Sequence, residues 1–226
     1  MTLPLTPSML EHLLQRRNAY PTGAETIDDH IWSNFTRRYA VLVLDMSGFS
    51  RLTIEYGIIH FLAMLQRLVD IVAPIIEAQH GTLFKQEADN VFAVFPTVDL
   101  AVAAAFKMLN ALAIANKHMP NYQALYASMG IGYGDVIAVS EPSGRHQLFD
   151  VFGSEMNLAS KLGEDLAEAG EILLTQAAYK QLTNPDNYTY QARSVTISKV
   201  NLDVYALGIL SQQAQSQLVT AEVPIA

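Results

Sequence analysis

The 226-residue chain contains no cysteine, and this absence removes several kinds of chemistry at once. Disulfide bonds, thiolate zinc sites and cysteine nucleophiles are excluded, so any bound metal has to be held by oxygen or imidazole ligands. Positive charge is also scarce, because 14 Lys and Arg face 22 Asp and Glu, for a formal net charge of -8. A chain without a general basic surface is not expected to bind nucleic acid or an anionic membrane through its charge.

Uninterrupted apolar runs of membrane-spanning length are missing as well. The two most apolar windows, 61–76 and 98–115, are short, and charged residues interrupt them. The first twenty residues lack the early positive charge, central apolar stretch and small-residue cleavage site of a secretion signal. We therefore expect no membrane span and a cytoplasmic location.

The residues that are present predict a globular domain, since half of them are apolar and 16% are charged. Hydrophobic periodicity predicts a strand, a helix, two short strands, a helix and a strand, in that order, between residues 39 and 134. This is the ferredoxin-like βαββαβ order, in which both helices lie on one face of a largely antiparallel sheet. A helix over 154–166 and three further strands follow, so the predicted fold class is α+β with extra C-terminal αβ elements.

Three regions are predicted along the chain. Residues 1–37 form an N-terminal helical extension, with a short amphipathic helix over 7–20 that ends at a Pro-Thr-Gly turn. Residues 38–209 form the main domain, and the polar, unpatterned residues 210–226 form a flexible tail. The extension either covers an edge of the core or provides a dimer or regulatory contact.

Two aspartates are candidates for a metal site. Asp45 ends the apolar strand YAVLVLDM, and Asp89 lies in the hairpin between the two short strands. The first and third strands of this fold pair centrally, which brings these carboxylates together. Oxygen ligands of this kind suit Mg²⁺ or Mn²⁺, and the backbone amides of the turn at Gly48 and Phe49 can point at an anion. The alternative is that each aspartate is an ordinary strand-end or turn residue.

Three of the six lysines occupy suggestive positions. Lys85 precedes Asp89 by four residues across the hairpin, and Lys199 lies near the final strand. Lys161 follows Asn157 by four residues on one helix, so that both share a face and could hold a ribose and a phosphate. The alternative is that these lysines form surface salt bridges.

The glycine-rich segment GIGYG at 130–134 is a weak signal. No helix with a free N-terminus follows it closely, which favours a turn at a strand end over a dinucleotide-binding loop. The six histidines are scattered, and none has the spacing of a metal site or lies beside a nucleophile.

Four segments together resemble the catalytic domains of class III nucleotidyl cyclases. VLVLDMSGFSRLT resembles their opening strand and turn, LFKQEADNVFAVF their lysine-to-aspartate hairpin, MGIGYGDVIA their glycine-marked strand and LFDVFGSEMNLASKL their nucleotide-binding turn and helix. The segments occur in the family's order over about residues 39–207. The resemblance implies that the 3′-hydroxyl of a nucleoside triphosphate attacks its own phosphate, giving a 3′,5′-cyclic monophosphate and pyrophosphate.

The resemblance also implies roles at the phosphate end of the site. Asp45 and Asp89 match the two aspartates that bind two divalent cations, Mg²⁺ or Mn²⁺, with the carbonyl of Met46 as a further ligand. Lys161 stands where the family has an arginine that stabilises the transition state, and Lys199 falls at its triphosphate-binding lysine.

At the nucleoside end, the resemblance implies that Lys85 and Asp150 read the purine and that Asn157 orients the ribose. A Lys/Asp pair in this family goes with adenine, because the carboxylate accepts a hydrogen bond from the exocyclic amine while the lysine donates one to a ring nitrogen. ATP is therefore the favoured substrate.

In this family the metal aspartates come from one subunit, and the purine, ribose and transition-state residues come from its partner. The resemblance thus implies a head-to-tail homodimer with two composite sites. The chain departs from the family at Ala88, where the family usually has glycine, at Asn90, where it has a small residue, and at Lys161, where it has arginine. Three hypotheses follow: an adenylate cyclase, a catalytically weak nucleotide-binding or dimerisation module of the same fold, and a cyclase that prefers guanine or a pyrimidine.

Overall fold

The computed structural model describes residues 5–140, 150–197 and 199–209, which form seven α-helices and eight strands. The helices are α1 (Pro7–Ala19), α2 (Ala24–Phe35), α3 (Phe49–Tyr56), α4 (Ile58–Ala78), α5 (Val98–Asn116), α6 (Ser154–Lys161) and α7 (Gln176–Tyr179). The strands are β1 (Thr36–Met46), β2 (Thr82–Glu87), β3 (Asn90–Phe95), β4 (Ala127–Val139), β5 (Asp150–Phe152), β6 (Ile172–Thr175), β7 (Tyr188–Ile197) and β8 (Val200–Ile209).

All eight strands belong to one mixed sheet in the order β2-β3-β1-β4-β6-β8-β7, with β5 paired to β4 outside that path. The central strand β1 pairs antiparallel with β3 on one side and β4 on the other. β4 and β6 run parallel, whereas β2 and β3 form the expected antiparallel hairpin. The α+β class and the βαββαβ order predicted from periodicity are confirmed.

The central strand contributes to two cores, one on each face of the sheet. The even-numbered residues 40–46 pack in the main core together with α4 and α5. Val41 and Val43 face the other way, into a smaller core with Met156 and Ala159 of α6. Because β1 is covered on both faces, its sequence is a continuous apolar run instead of an alternating one.

The two long helices α4 and α5 have 21 and 19 residues and are apolar, and length and composition alone would allow each to cross a membrane. The expectation that these windows are too short is therefore wrong on length. Both helices place their buried residues in the main core against the sheet. This packing is typical of the core helices of an α+β domain.

The N-terminal region contains the predicted helix α1 and, after the turn at Pro21–Gly23, a second helix α2 that the sequence analysis missed. The two helices pack on the end of β4 through a separate small core that includes Leu13, Phe35 and Val139. The extension therefore covers an end of the sheet. The predicted tail, 210–226, lies outside the described residues.

The glycine-rich segment 130–134 lies inside β4, so the prediction of a turn is wrong. A Cβ atom on Gly130 would lie 2.0 Å from the carbonyl oxygen of Ala159, and one on Gly132 would lie 2.4 Å from that of Glu155. Both contacts are far shorter than any real Cβ contact, so side chains are excluded here. The glycines let the backbone of α6 lie directly on β4, which fixes the helix that carries two predicted site residues.

Candidate active site

Asp45 and Asp89 lie together at one end of β1. Asp45 is the penultimate residue of that strand and pairs with Asn90, the first residue of β3. The backbone amide of Met46 donates a hydrogen bond of 3.2 Å to the carbonyl oxygen of Asp89. The two-residue turn that carries Asp89 is thereby held beside the end of β1, as the strand pairing predicted.

The electrostatics of this end show an excess of negative charge. Burial raises the pKa of Asp45 to about 7, and the neighbouring charges of Asp89, Glu164 and Asp165 contribute to the shift. Burial also raises the pKa of Asp89. Within the described part of the chain, neither Asp45 nor Asp89 has an ion-pair partner. The residues therefore fit a bound cation, which would supply the missing countercharge.

Side chains alone do not complete a metal-binding set at this end. No group of three or more His, Asp and Glu residues among the described residues could hold a metal ion. A metal held here by Asp45 and Asp89 would need further oxygen ligands, from a backbone carbonyl such as that of Met46, from water or from substrate phosphates. Mg²⁺ is commonly bound in this way, by one or two carboxylates together with phosphates.

Two further carboxylates at this end were missed by the sequence analysis. Residues Leu162–Leu166 form a single π-helical turn after α6. Gly163 in this turn approaches β1 so closely that a Cβ atom would lie 2.8 Å from the carbonyl oxygen of Val43. This approach brings Glu164 and Asp165 near Asp45. The only signal for this approach in the sequence was the glycine at position 163. The segment LGEDL is otherwise typical of an exposed helix end.

The turn that carries Asp89 also holds a strained residue. Ala88 has a φ of +50°, in the left-handed region that favours glycine. Some two-residue hairpin turns place glycine at this first position for the same reason. The departure of Ala88 from the family pattern therefore costs conformational energy, on the order of 1 kcal/mol.

The turn after Asp45 connects β1 to α3. Gly48 adopts a φ of +87° and caps α3, and the amide of Ser47 donates a hydrogen bond of 2.9 Å to the carbonyl oxygen of Tyr126. Phe49 is the first residue of α3, and its side chain lies outside the described part of the structure. The roles predicted for Gly48 and Phe49 in phosphate binding stay predictions.

Lys85 and Asp150 meet although 65 residues separate them. The Nζ atom of Lys85 lies 3.5 Å from an Asp150 carboxylate oxygen and 5.6 Å from the centre of the Phe92 ring. Glu87, which the sequence analysis did not consider, accepts a shorter contact of 2.8 Å from the same nitrogen. The hydrogen bond to Glu87, followed by the charge of Asp150, raises the pKa of Lys85.

The position of β5 explains the contact between Lys85 and Asp150. This strand pairs with the C-terminal end of β4, and Val151 is buried in the same small core as Phe84 and Phe92 of the hairpin β2–β3. Folding of β5 over the sheet face brings Asp150 to Lys85. The resemblance anticipated this pair, whereas the periodicity of the sequence contained no signal for it.

Asn157 and Lys161 lie one turn apart on the exposed side of α6. The Nζ atom of Lys161 lies 2.7 Å from a carboxylate oxygen of Asp165, and this hydrogen bond raises the pKa of the lysine. The lysine predicted to meet a phosphoryl group is thus bound to a carboxylate of its own chain.

Lys199 lies apart from the other predicted site residues. It occupies the turn between β7 and β8 with a φ of +69°, its side chain is exposed, and it forms no ion pair with a described residue. The strand pairing places this turn beyond the C-terminal end of β6, whereas Asp45 pairs with Ser128 near the N-terminal end of the parallel strand β4. In a single chain, Lys199 and Asp45 are therefore at opposite ends of the sheet.

Solved structures with the same fold include both kinds of nucleotide cyclase. The guanylyl cyclase Cya2 superposes with a TM-score of 0.68 at 20% identity, covering 78% of this chain and 94% of that one. The adenylyl cyclase CyaB from P. aeruginosa gives a TM-score of 0.64 at 22% identity, with coverage of 78% and 97%. At these identities the likeness shows the fold alone.

Sequence comparison gives a relative and a family. The chain is 26% identical over 144 residues to "Putative adenylate cyclase 3" of Rhizobium meliloti, a match that spans 64% of this chain and 23% of that protein. The model of the adenylate and guanylate cyclase catalytic domain matches residues 33–208, a range that contains every site residue proposed from the sequence. The chain therefore belongs to the family of adenylate and guanylate cyclase catalytic domains.

Proposed function

We propose that this cyclase domain is an adenylate cyclase of the cytoplasm, which converts ATP to 3′,5′-cyclic AMP and pyrophosphate. The observation that carries the choice of base is the 3.5 Å contact between Lys85 and Asp150. A carboxylate at this place accepts a hydrogen bond from the exocyclic amine of adenine, while the lysine donates to a ring nitrogen. Guanine has a carbonyl oxygen in place of that amine, which would leave two acceptors opposed. The name of the Rhizobium relative agrees with this choice.

We assign the cation-binding role to Asp45 and Asp89, with the carbonyl of Met46 as a further ligand. Their raised pKa values and the absence of an ion-pair partner among the described residues support this assignment. Two divalent cations bound there would offset the negative charge of the triphosphate and stabilise the charge that develops on the transferring phosphoryl group.

The helix α6 supplies the groups that act on the ribose and the phosphoryl group. The side chain of Asn157 orients the ribose so that its 3′-hydroxyl faces the phosphorus atom, and the ammonium group of Lys161 stabilises the charge at the transition state. Lys161 lacks the planar fork of an arginine, so it acts as a point charge and not as a bidentate ligand. In the nucleotide-bound state its contact with Asp165 is exchanged for one with a phosphate oxygen.

We propose that two chains assemble head to tail, and the position of Lys199 supports this. The metal aspartates and the triphosphate-binding lysine have to contact one triphosphate, yet one chain holds them at opposite ends of the sheet. A partner turned by a two-fold axis brings its own Lys199 to the other chain's aspartates.

An exposed apolar surface on α3 and α4, the two helices that follow β1, also supports the dimer. It comprises Ile54 of α3 and Ile58, Ile59 and Leu62 of α4, whose exposed fractions are 87%, 54%, 75% and 50%. Contiguous apolar surface of this kind usually marks an interaction site.

A catalytically weak nucleotide-binding module is the second candidate function. The strained Ala88 beside Asp89 and the internal pairing of Lys161 with Asp165 favour it, since both lie in the parts that would perform the phosphoryl chemistry. A cyclase with a guanine or pyrimidine preference is the third, because two side chains decide the base.

The test of the activity is to incubate the purified protein with Mn²⁺ or Mg²⁺ and each of the four ribonucleoside triphosphates, and to identify cyclic products by mass spectrometry. We expect cyclic AMP from ATP, and no product from Asp45→Ala. A chain that yields no cyclic nucleotide from any triphosphate, with Asp45→Ala indistinguishable from it, is the weak module. A cyclic product of GTP, CTP or UTP in place of cyclic AMP identifies the third function.

The test of the dimer mixes two inactive variants, Asp45→Ala and Asn157→Ala. One of the two sites in a mixed dimer then contains only unaltered residues, so we expect up to about a quarter of the parent activity to return when random assortment makes half of the dimers mixed. Mixtures that stay inactive, although light scattering shows a dimer, would contradict composite sites.

A further inference from the structure

A cavity lies at the end of β1 that is remote from Asp45. Its volume is about 350 Å³, and it lies between the N-terminal extension and the sheet. Leu5, Phe35 and Val94 provide apolar surface, while Arg37, His80 and Thr82 provide polar groups. None of the described residues that line it is acidic, in a chain whose net charge is -8. The lining therefore differs in charge from the rest of the molecule.

No carboxylate among the described residues balances the charge of Arg37. Its Nη1 atom donates hydrogen bonds to the carbonyl oxygens of Thr36, at 2.7 Å, and Asn34, at 3.2 Å, and it has no ion pair with a described residue. The next residue, Arg38, forms two hydrogen bonds of 2.7 Å with the carboxylate of Asp135. The two adjacent arginines therefore differ in their partners. Arg38 is paired with a carboxylate, whereas Arg37 lines the cavity without a described carboxylate partner.

His80 reaches the cavity from an unusual backbone position. It follows the last turn of α4, where the amide of His80 donates to the carbonyl of Glu77 and the amide of Gly81 to that of Ile76, each at 2.9 Å. This hydrogen-bond pair defines a Schellman motif, in which the left-handed residue is usually glycine. His80 has a φ of +58° there, so the chain retains an imidazole at a position where glycine would be less strained.

We propose that this cavity binds a small organic anion, in which a carboxylate or phosphate group is attached to an apolar body. The guanidinium of Arg37 pairs with the anionic group, and the side chains of His80 and Thr82 form hydrogen bonds with it. Phe35 and Val94 contact the apolar body. The volume is within the range of small-molecule sites in proteins.

An occupied cavity would join the extension to the sheet. Leu5 and Phe35 belong to the extension, whereas Thr82 and Val94 belong to β2 and β3. Arg37 lies on β1, whose other end carries Asp45. A ligand that contacts all three groups binds better when the extension is docked, so its binding stabilises that arrangement. This site is independent of the proposed cyclase activity.

The test uses calorimetric titration of the full metal-free chain with benzoate and with phenyl phosphate as probes. Benzyl alcohol, which has a similar body but no charge, is the matched control ligand. We expect a Kd on the order of 1 mM or below for at least one anion, and at least about tenfold weaker binding of benzyl alcohol. Binding that the alcohol equals would remove the anionic group from the proposal.

Variants then locate the site. We expect Arg37→Gln to weaken the binding of the anion about tenfold or more, and Arg38→Gln to leave it unchanged. His80→Gly should weaken binding while raising the Tm by about 2–4 °C, because glycine relieves the left-handed strain. If Arg37→Gln and His80→Gly bind the anion as tightly as the parent does, the anion binds elsewhere, for instance among the phosphate-binding groups of the nucleotide site. That result overturns the proposal. Failure of both anions to bind the folded parent at millimolar concentration also overturns it.

Discussion

Asp45 and Asp89 carry negative charge that no described residue balances through an ion pair, whereas Lys85 and Asp150 are paired at 3.5 Å. Both groups lie on the sheet, yet the fold prepares them differently. The contact between Lys85 and Asp150 forms without a ligand, as the proposed selection of a base by shape and hydrogen bonding requires. The aspartates are held close at a cost in stability, which either protonation of Asp45 or the proposed binding of a cation removes. The comparison teaches that, in the proposed function, the groups assigned to the base and those assigned to the phosphates are prepared by opposite electrostatic means.

The largest effect is expected from Asp45→Asn, which removes the charge of a proposed metal ligand and keeps the shape of the side chain. We expect cyclase activity to fall at least about 10²-fold, because the phosphoryl charge is no longer offset. The same variant should raise the Tm of the metal-free protein at pH 8 by about 2–4 °C, since it removes the cost of burying a charged carboxylate and the repulsion from Asp89. Cyclic nucleotide assays and thermal denaturation measure the two effects, and Asp29→Asn, at an exposed position, is the control.

The stabilisation by Asp45→Asn should depend on pH. The pKa of Asp45 is raised from its ordinary 3.8 to about 7 in the folded state. The contribution of Asp45 to the stability of the wild-type protein is therefore largest below about pH 3.8. This contribution is lost as the pH rises towards and through 7. The advantage of the variant should be present at pH 8 and absent near pH 4. An equal difference in Tm at both pH values would show that Asp45 is not the source of the repulsion.

Gly130→Ala should disrupt the packing of α6 on β4. An added Cβ atom would meet the backbone of α6, which cannot move without displacing Asn157 and Lys161. We expect a loss of about 2–3 kcal/mol of stability and at least a tenfold loss of activity. Urea denaturation and product assays measure both. Gly23→Ala is the matched control, because nothing lies within 4 Å of its Cβ position, and it should behave as the parent does.

Asp150→Asn should reduce the preference for ATP over GTP about tenfold, because the amide can present either its oxygen to the exocyclic amine of adenine or its NH2 group to the carbonyl of guanine. The dependence of the rate on Mn²⁺ concentration should not change, since the metal aspartates are untouched. Glu87→Gln is the control, because Glu87 contacts the same lysine at 2.8 Å but has no assigned role in reading the base. If Glu87→Gln alters the ATP-to-GTP ratio and Asp150→Asn does not, Glu87 and not Asp150 is the partner of Lys85 in base reading.

Ala88→Gly is expected to have the smallest effect. Glycine tolerates the φ of +50° at the start of the turn, so the free energy of unfolding should rise by about 0.5–1 kcal/mol. Thermal denaturation would show a Tm increase of about 2–4 °C. Ala177→Gly in α7 serves as the control and should lower the Tm, because that residue is helical. A destabilised Ala88→Gly variant would mean that the turn is not strained.

The sequence predicted those features that depend on local periodicity or on short-range pairing. The apolar run of β1, the helices α4 and α5 and the hairpin β2–β3 follow from the spacing of apolar residues, and with them the approach of Asp45 to Asp89. The helix α2 was missed although its apolar residues Ile27, Ile31 and Phe35 have helical spacing, so the signal for this helix was present in the sequence.

Features that depend on tertiary packing could not be predicted in this way. The glycines of β4 read as a turn because nothing in the segment itself indicates a helix lying above it. The approach of Glu164 and Asp165 to Asp45 depends on a π-helical turn that packs on β1. The meeting of Lys85 with Asp150 depends on how β5 folds over the sheet, and only the resemblance to a family indicated it.

The bare stretch of β4 beneath α6 has a consequence for tolerance to sequence change. Main chain rests on main chain there, so the placement of Asn157 and Lys161 depends on the glycines of β4 together with the packing of Met156 and Ala159 in the smaller core. Substitutions among the apolar residues beneath α4 and α5, on the reverse side of the sheet, can alter thermal stability while the registration of these two side chains over β1 is retained. The two faces of the sheet therefore tolerate substitution differently. The face beneath α4 and α5 can change in sequence, whereas the glycines of β4 are needed to keep Asn157 and Lys161 in place.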